Sequence, residues 1–327
     1  MMKKNKIALL ICTISLSSFS NGYAFEESLF IPQRGSKHNK LSASFEHLFS
    51  DQQSPSSIEK TTLSGNATFE VHAKEKQSHL ILTKAKHHSL SQALQLPSSS
   101  VTIPKQLWDA KLNYVFKAQL EDKKSFSLLT SIHSPSDAPF SSLDVTQFQT
   151  IGIYQLPQSQ TESLWLFIEY STKRSFLPHI PLPGVGYSLL FLDQKAFAFL
   201  GIPFAFISYR PDAHWSVKFF TLFPTLYRFE VANRFYGPFQ AYISSAIETE
   251  SYFLKDHSKN KDRLYFSKKN ILIGLRAPLS QSLSVDVNGG YTFDQKYFED
   301  HSSFLSKSSK LYLASQWGAT FNLDYRF

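Results

Sequence analysis

Alternation of apolar and polar side chains is strongest at the end of the chain, in residues 317–327. Every odd position there is apolar or aromatic, and every even position is small or polar. A period of two is typical of a strand in the wall of an outer-membrane β-barrel, and the stretch would rise roughly 25 Å, which is the height of the apolar band. We expect Trp317, Phe321, Tyr325 and Phe327 to face lipid, with Trp317 and Phe327 in opposite aromatic girdles and Phe327 as the assembly signal.

Similar runs recur along the chain, separated by turn residues and without a helical period. The fold class we predict is all-β, a transmembrane antiparallel up-and-down β-barrel. At roughly 22 residues for a strand and its share of loops, we expect about twelve strands, within a range of ten to fourteen. The candidate strands are 61–73, 79–84, 107–120, 126–132, 145–156, 164–172, 186–192, 196–209, 215–223, 226–235, 241–254, 270–278, 283–293 and 311–327.

The start of the chain predicts export. Lys3, Lys4 and Lys6 precede an apolar stretch at 7–16, and Gly22-Tyr23-Ala24 supplies small residues where a signal peptidase reads the chain. We therefore assign 1–24 to a signal peptide cleaved after Ala24, 25–60 to a Ser-rich leader that is either poorly ordered or the first strand, and 61–327 to the barrel. Cys12 is the sole cysteine and lies in the signal peptide, so the mature chain has no disulfide. The predicted location is the cell outer membrane.

Two hairpins test whether charges can stay out of lipid. A three-residue turn at Gly237-Pro238 makes Arg228 meet Glu248 on the inner face. A turn that sets Ala277 opposite Leu283 places Arg276 diagonal to Asp286, also inside. We predict these two pairs as ion pairs of the lumen, because a mid-plane Arg or Lys facing lipid costs about 2 to 4 kcal/mol.

The run 196–209 breaks the alternation, since both of its faces are apolar. Pro203 within it implies a bulge or an interruption. One interpretation is a locally packed lumen, where inner side chains touch a plug or the leader. The other is an apolar lumen patch that binds or guides a hydrophobic solute, formed by Phe197, Phe199, Phe204 and Phe206.

Composition narrows the function. Aromatic residues make up 15% of the chain, with 30 phenylalanines, as the girdles of a barrel require. The formal charge of +8 comes from scattered residues; the main basic cluster, at 255–269, is read as a solvated loop that could meet lipopolysaccharide phosphates, and no nucleic-acid partner is expected.

Catalytic chemistry is not supported by the sequence. Ser208, Asp212 and His214 form the best hydrolase candidate, but Pro and Asp occupy their usual places for a hairpin turn there. Glu248 and Glu250 share one strand face, where an ion pair with Arg228 is the favoured reading, and adjacent His87 and His88 point to opposite faces. We expect no enzyme activity, no cofactor and no metal.

Several short motifs carry a family likeness: Pro183-Gly184-Val185-Gly186-Tyr187, Gly201-Ile202-Pro203-Phe204, Ser208-Tyr209-Arg210-Pro211, Gly289-Gly290-Tyr291-Thr292-Phe293 and the terminal strand. In their order they resemble a family of uncharacterised Gram-negative outer-membrane β-barrels, described only as a domain of unknown function. The likeness covers about two thirds of the mature chain. It implies fold and location and offers no catalytic residues.

The functional expectation is a passive channel or transporter, or a structural wall protein, for an unknown small-molecule solute that could be hydrophobic. The alternative is an adhesin-like surface protein that uses the loops at 254–269 and 294–310. The partners expected in either case are outer-membrane lipid, lipopolysaccharide and the barrel-assembly machinery.

Overall fold

A computed structural model describes residues 39–50, 58–74, 76–97, 101–174, 178–202, 204–223, 225–255, 263–300 and 310–327 of the 327-residue chain. The predicted signal peptide lies outside these residues, as do parts of the two loops at 254–269 and 294–310. Within the described ranges, no helix is long and apolar enough to cross a membrane.

Nearly all regular structure is β. Within the ranges given above, a single 3₁₀ turn, Glu121–Lys123, interrupts the strands. The strands are β1 (Lys40–Leu48), β2 (Lys60–Lys74), β3 (Gln77–Leu90), β4 (Leu94–Gln95), β5 (Thr102–Ile103), β6 (Gln106–Gln119), β7 (Ser125–Ser136), β8 (Gln147–Pro157), β9 (Glu162–Ser171), β10 (Leu182–Phe191), β11 (Ala196–Gly201), β12 (Phe204–Tyr209), β13 (Trp215–Leu222), β14 (Leu226–Tyr236), β15 (Phe239–Tyr252), β16 (Arg263–Pro278), β17 (Leu283–Asp300), β18 (Lys310–Leu313) and β19 (Gln316–Arg326).

The sheet closes into a barrel because β1 pairs antiparallel with both β2 and β19. Each other wall strand pairs antiparallel with its neighbours along the chain, so the topology is up-and-down, while β4 and β5 form a separate hairpin. Both β18 and β19 pair with β17 and share one wall position, so the barrel has 16 strands. The prediction of about twelve was wrong.

Two features account for strands missing from the sequence prediction. β1 lies inside the segment 25–60, where its inner side chains Ser42, Ser44 and Glu46 gave only weak alternation. The run 196–209 is two strands, since Ala196 pairs with Tyr209 and Leu200 with Ala205 in one tight hairpin. The chain therefore reverses between β11 and β12, while Pro203 itself lies outside the described residues. Because β11 and β12 contain only 6 residues each, the chain forms more strands than the estimate of roughly 22 residues per strand allowed.

The two faces of the wall differ as a period of two requires. Outward side chains are apolar and exposed, including Trp317 at 66%, Phe321 at 46% and Tyr325 at 44%. Phe327 follows β19, also exposed, with its ring 6.3 Å from that of Phe69. Inward positions on the same strand are polar, and Asn322 is buried.

The hairpin of β16 and β17 has a different register from the predicted one. Ala277 lies opposite Val285, and Arg276 lies directly opposite Asp286 instead of diagonal to it. The reversal is centred one residue later than assumed, because Pro278 lies opposite Ser284 and the N–H of Leu279 donates to the carbonyl of Leu283. A shift of two residues leaves every side chain on its original face, so the inward placement of both charges is unaffected.

Strand length varies strongly around the barrel. β15, β16 and β17 contain 14, 16 and 18 residues, whereas β11 and β12 contain 6 each. We call the end where Lys40 and Arg326 pair the near end and the opposite end the far end. The tall strands extend beyond the short ones at the far end, where the loop after β3 folds.

Candidate functional site

The lumen has two unlike sides. On the first, which we call the apolar side, inward residues of β3, β6–β9 and β11–β14 form one continuous buried cluster. Leu80 of β3 and Leu226 of β14 both belong to it, although these strands are not neighbours in the sheet, so its side chains meet across the lumen. The buried members are Leu80, Leu82, Val115, Leu129, Ile153, Trp165, Phe199, Phe206, Phe220 and Leu226.

The four phenylalanines predicted as an apolar lumen patch lie in this cluster. Phe199 and Phe206 are 2% and 6% exposed, and Phe197 and Phe204 pack against them half-buried. The Phe199 and Phe204 rings stack with centroids 4.9 Å apart. They belong to a cluster that also contains Leu80 and Leu82 of β3. The arrangement is a packed interior made by side chains of the wall, and in the described residues neither the plug nor the leader of the first interpretation takes part in this cluster.

Two glycines of β10 make this packing fit. A Cβ built on Gly184 would lie 1.8 Å from the ring of Phe167, and one on Gly186 would lie 2.4 Å from the ring of Phe199. Both rings therefore lie flat across the inner face of β10, where only glycine leaves room. This explains why β10 carries Gly-x-Gly at inward positions.

The second side of the lumen, the polar side, encloses a cavity of about 130 Å³. Five basic and four acidic side chains line it, with serine, threonine and asparagine between them. The residues are Ser44, Glu46, Thr62, Ser64, Asn66, Lys84, Lys86, Arg228, Glu230, Tyr242, Ser244, Ala246, Glu248, Glu250, Lys268, Asn270, Leu272, Arg276, Asn288, Thr320 and Asn322. Only Ala246 and Leu272 among them are apolar.

Ion pairs join the strands that line this cavity. Arg228 of β14 donates from Nη2 to Glu248 Oε1 at 2.8 Å, from a position diagonal to it across the β14–β15 ladder. Lys268 of β16 lies 2.9 Å from Glu46 Oε1 and 3.7 Å from Glu248 Oε2. It thereby links β1, β15 and β16. Lys268 was part of the basic cluster read as a solvated loop; it is a buried residue of the lumen.

A second group lies nearer the near end, around Arg276. Its Nε lies 3.0 Å from Asp286 Oδ2 and its Nη2 lies 3.4 Å from Glu230 Oε2. The Tyr242 hydroxyl donates a hydrogen bond to Asp286 Oδ1 at 2.7 Å. The Arg276 guanidinium lies over the Tyr242 ring, with Cζ 4.6 Å from the ring centre. The Tyr242 ring reaches β17 by crossing Gly274, where a Cβ would come within 2.4 Å of it.

Toward the far end, ion pairs and hydrogen bonds from uncharged side chains occur together. Glu250 pairs with Lys86 and accepts the Tyr252 hydroxyl at 2.7 Å. Buried His88 contacts Glu250 Oε2 at 3.1 Å and Thr62 Oγ1 at 2.9 Å. Glu250 is therefore held by these groups and not by Arg228. All nine charged side chains lining the cavity have an oppositely charged partner, so the cavity lining carries little net charge.

Above this layer the loop after β3 folds inward. We call residues 91–97 and 101–105, which include the β4–β5 hairpin, the cap. Leu96 and Ile103 of the cap are 3% and 0% exposed and join a cluster with Tyr252, Phe266 and Tyr297 of the opposite wall. Since β15–β17 do not neighbour β3 and β6, the cap spans the lumen above the polar side. Lys60 lies just beneath, with Nζ 3.7 Å from the centre of the Phe266 ring.

The hydrolase candidate does not assemble. Asp212 Oδ1 accepts the backbone N–H groups of His214 and Trp215 at 2.7 and 2.8 Å, and these bonds hold the pKa of Asp212 below its usual range. The His214 Nδ1 lies 2.9 Å from the carbonyl of Arg234, and Ser208 faces the lumen from β12. In the described part of the chain, no group of three or more His, Cys, Asp or Glu side chains is placed to hold a metal ion.

Comparisons with known proteins add the following. No protein-family model matches the chain, and no curated protein matches its sequence. Its structure is similar to that of the toluene transporter TodX of Pseudomonas putida, with a TM-score of 0.39 and 8% identity over 94% of each chain. An outer-membrane channel of Pseudomonas putida F1 gives 0.37 and 7% over 90% of this chain and 97% of that one. The NanC porin gives 0.30 and 7% over 88% and 100%. Scores this low carry no argument about function, and the resemblance to the uncharacterised barrel family stays a prediction.

Proposed function

We propose that this protein is a gated outer-membrane channel that passes small polar solutes along the polar side of its lumen. The observation that carries the proposal is the cavity whose lining is almost entirely polar and whose charges are paired. A hydrophilic lining with little net charge lets a hydrated neutral or zwitterionic solute exchange its water for wall groups without a large electrostatic barrier. The apolar side is close-packed, so it serves as the support for this path.

Membrane insertion is supported by the outer face. Large apolar side chains such as Ile243, Ile273 and Leu275 are more than half exposed on the tall strands, and a soluble protein rarely leaves a patch of this extent in water. Trp317, Tyr325 and Phe327 lie among them as candidate girdle residues. Outer-membrane lipid and lipopolysaccharide are accordingly proposed as surroundings, and the barrel-assembly machinery as the partner that reads the terminal strand.

The cap supplies the gate. In barrels of this topology the short turns face the periplasm, which puts the near end there and the cap at the extracellular mouth. Apolar contacts of Leu96 and Ile103 with the opposite wall keep the mouth shut. Opening requires the β4–β5 hairpin to leave a cluster of buried side chains, so open events should be rare in the unmodified protein.

Single-channel recording in planar bilayers tests both parts of the proposal. Ile103→Asp places a carboxylate among buried apolar side chains and should open the mouth, which raises the open fraction at least tenfold. Thr102→Asp is the matched control, because Thr102 is the adjacent cap residue and points to solvent. It should behave as the wild type. Heat-modifiable gel mobility shows that each variant is a folded barrel.

Two outcomes would contradict the proposal. Folded Ile103→Asp barrels that remain silent would mean that the polar side is not a conducting path. Equal, high conductance in all three proteins would mean that the path conducts but the cap does not close it.

A further inference from the structure

At the near end the β2–β3 hairpin extends past β1, while β6 continues beside β3. Lys40, the first residue of β1, pairs with Thr68, so within the described residues β1 ends before it reaches residues 69–74 of β2. The Phe69 ring lies against Phe327 at the candidate girdle. His72 follows this girdle residue and faces His79 across the hairpin, next to the turn. Both imidazoles are accessible to water, since His72 is exposed and His79 is half-buried.

A β-bulge at Val71 creates this facing pair. Before the bulge Glu70 lies opposite Leu80, and after it His72 lies opposite His79. In a regular ladder that kept Val71, that residue would lie opposite His79, and His72 would fall opposite Ser78 and point to the inner face with it. The Val71 side chain is 61% exposed. The bulge therefore turns the His72 ring outward, onto the face that His79 occupies.

The distance between the two rings suits a shared ion. Their centroids are 5.7 Å apart and their planes make an angle of 59°. With metal–nitrogen bonds of about 2.1 Å and about 1.1 Å from ring centre to nitrogen, two imidazoles on one tetrahedral ion have centroids roughly 5.2 Å apart, and slightly more at a wider angle. The rings thus need only small rotations to coordinate one ion.

Tyr114 orients the imidazole of His79. Its hydroxyl oxygen lies 2.6 Å from Nδ1 of His79, on the outer face of β6. A hydrogen bond to one ring nitrogen sets the orientation of a metal-binding imidazole and leaves the other nitrogen, here Nε2, for the ion. This is the arrangement that surrounds histidine ligands in known metal sites.

We propose that His72 and His79 bind one divalent transition-metal ion at the periplasmic edge of the barrel, with water completing its coordination. Imidazole ligands suit Zn²⁺, Cu²⁺ and Ni²⁺, and the order of affinities favours Cu²⁺. The ion would clamp the protruding hairpin where the bulge disrupts the ladder. This site is separate from the lumen, so it does not depend on the channel proposal.

The experiment is a Cu²⁺ titration of the purified full-length barrel, made without a histidine tag, by calorimetry and by electron paramagnetic resonance. The wild type should show one site with two coordinating imidazole nitrogens. His72→Gln and His79→Gln should each weaken binding at least tenfold and leave one nitrogen in the spectrum. His87→Gln is the matched control, because His87 is also on the outer face of β3 but stacks on Trp108.

Deletion of Val71 provides a second variant that keeps both histidines. It removes the bulge but leaves His72 directly after Glu70 and still opposite His79 on the outer face, so the two-nitrogen signal should persist while the barrel still shows heat-modifiable mobility. Wild-type affinity in the double His72→Gln, His79→Gln variant would overturn the proposal. So would a wild-type spectrum with a single coordinating nitrogen.

Discussion

The two sides of the lumen are built on the same alternation and differ in what fills the inward positions. On the apolar side, rings from β9, β11 and β12 pack against aliphatic side chains of β3, β6 and β7. On the polar side, β14–β17 and β1–β3 present charges that pair over a cavity. Close packing excludes solvent and holds its geometry through shape, whereas paired charges hold theirs through partners and leave room. One barrel can therefore combine a close-packed side with a side that keeps a polar cavity.

The largest expected effect comes from placing a charge on the apolar side. Phe199→Asp buries a carboxylate with no basic partner in its cluster, and an unpaired buried charge costs about 3 to 5 kcal/mol. The barrel should lose heat-modifiable mobility or unfold at markedly lower urea concentration, as followed by tryptophan fluorescence in lipid vesicles.

The matched substitution on the polar side is Asn66→Asp. Asn66 lines the cavity directly across the ladder from Lys84, so a new carboxylate meets a basic neighbour. The urea midpoint should stay close to that of the wild type. Equal destabilisation by both variants would mean that the distinction between the two sides is wrong.

Much of the wall could be predicted from local sequence. The terminal strand and the inward placement of Arg228 and Arg276 follow from a period of two and from hairpin facing, which involve neighbouring residues only. β1 was harder to assign, because its outer face carries the small Ala43 and the polar His47 among its apolar residues, which weakens the alternation. The reversal between β11 and β12 was missed because both faces of a short, packed hairpin are apolar.

The polar side depends on contacts that local patterns do not encode. Lys268 and Glu46 are 222 residues apart and meet only because the barrel closes between β1 and β19. The cap had a local signal, the alternation of Leu94 and Leu96 with Val101 and Ile103 about its turn. The wall residues that the apolar face of the cap contacts could not be predicted, because barrel curvature and strand number decide which strands lie opposite.

A glycine substitution tests how tightly the polar network is held. Gly274→Ala puts a Cβ within 2.4 Å of the Tyr242 ring, which would have to move away from Asp286 and Arg276. We expect a loss of about 1 to 3 kcal/mol in the free energy of unfolding, as for other overpacking substitutions. Gly289→Ala is the control, since its nearest contact would be 3.6 Å. A neutral Gly274→Ala variant would mean that the network adjusts freely.

The smallest and most selective effect should come from unbalancing the cavity charge. Lys268→Gln removes the ammonium that lies 2.9 Å from Glu46 Oε1 and should shift the reversal potential of the open Ile103→Asp channel toward cation selectivity in a salt gradient. Glu248→Gln removes a carboxylate that neutralises Arg228 and Lys268, so it should shift the reversal potential toward anion selectivity. Because the charges are nearly balanced, each shift should be modest and should shrink at high salt.

Phe206→Leu, a change confined to the apolar side, should leave the reversal potential where it was. Shifts of the same sign in the two charge variants would place the ion path away from these residues, and the polar side would then be a structural network like its counterpart.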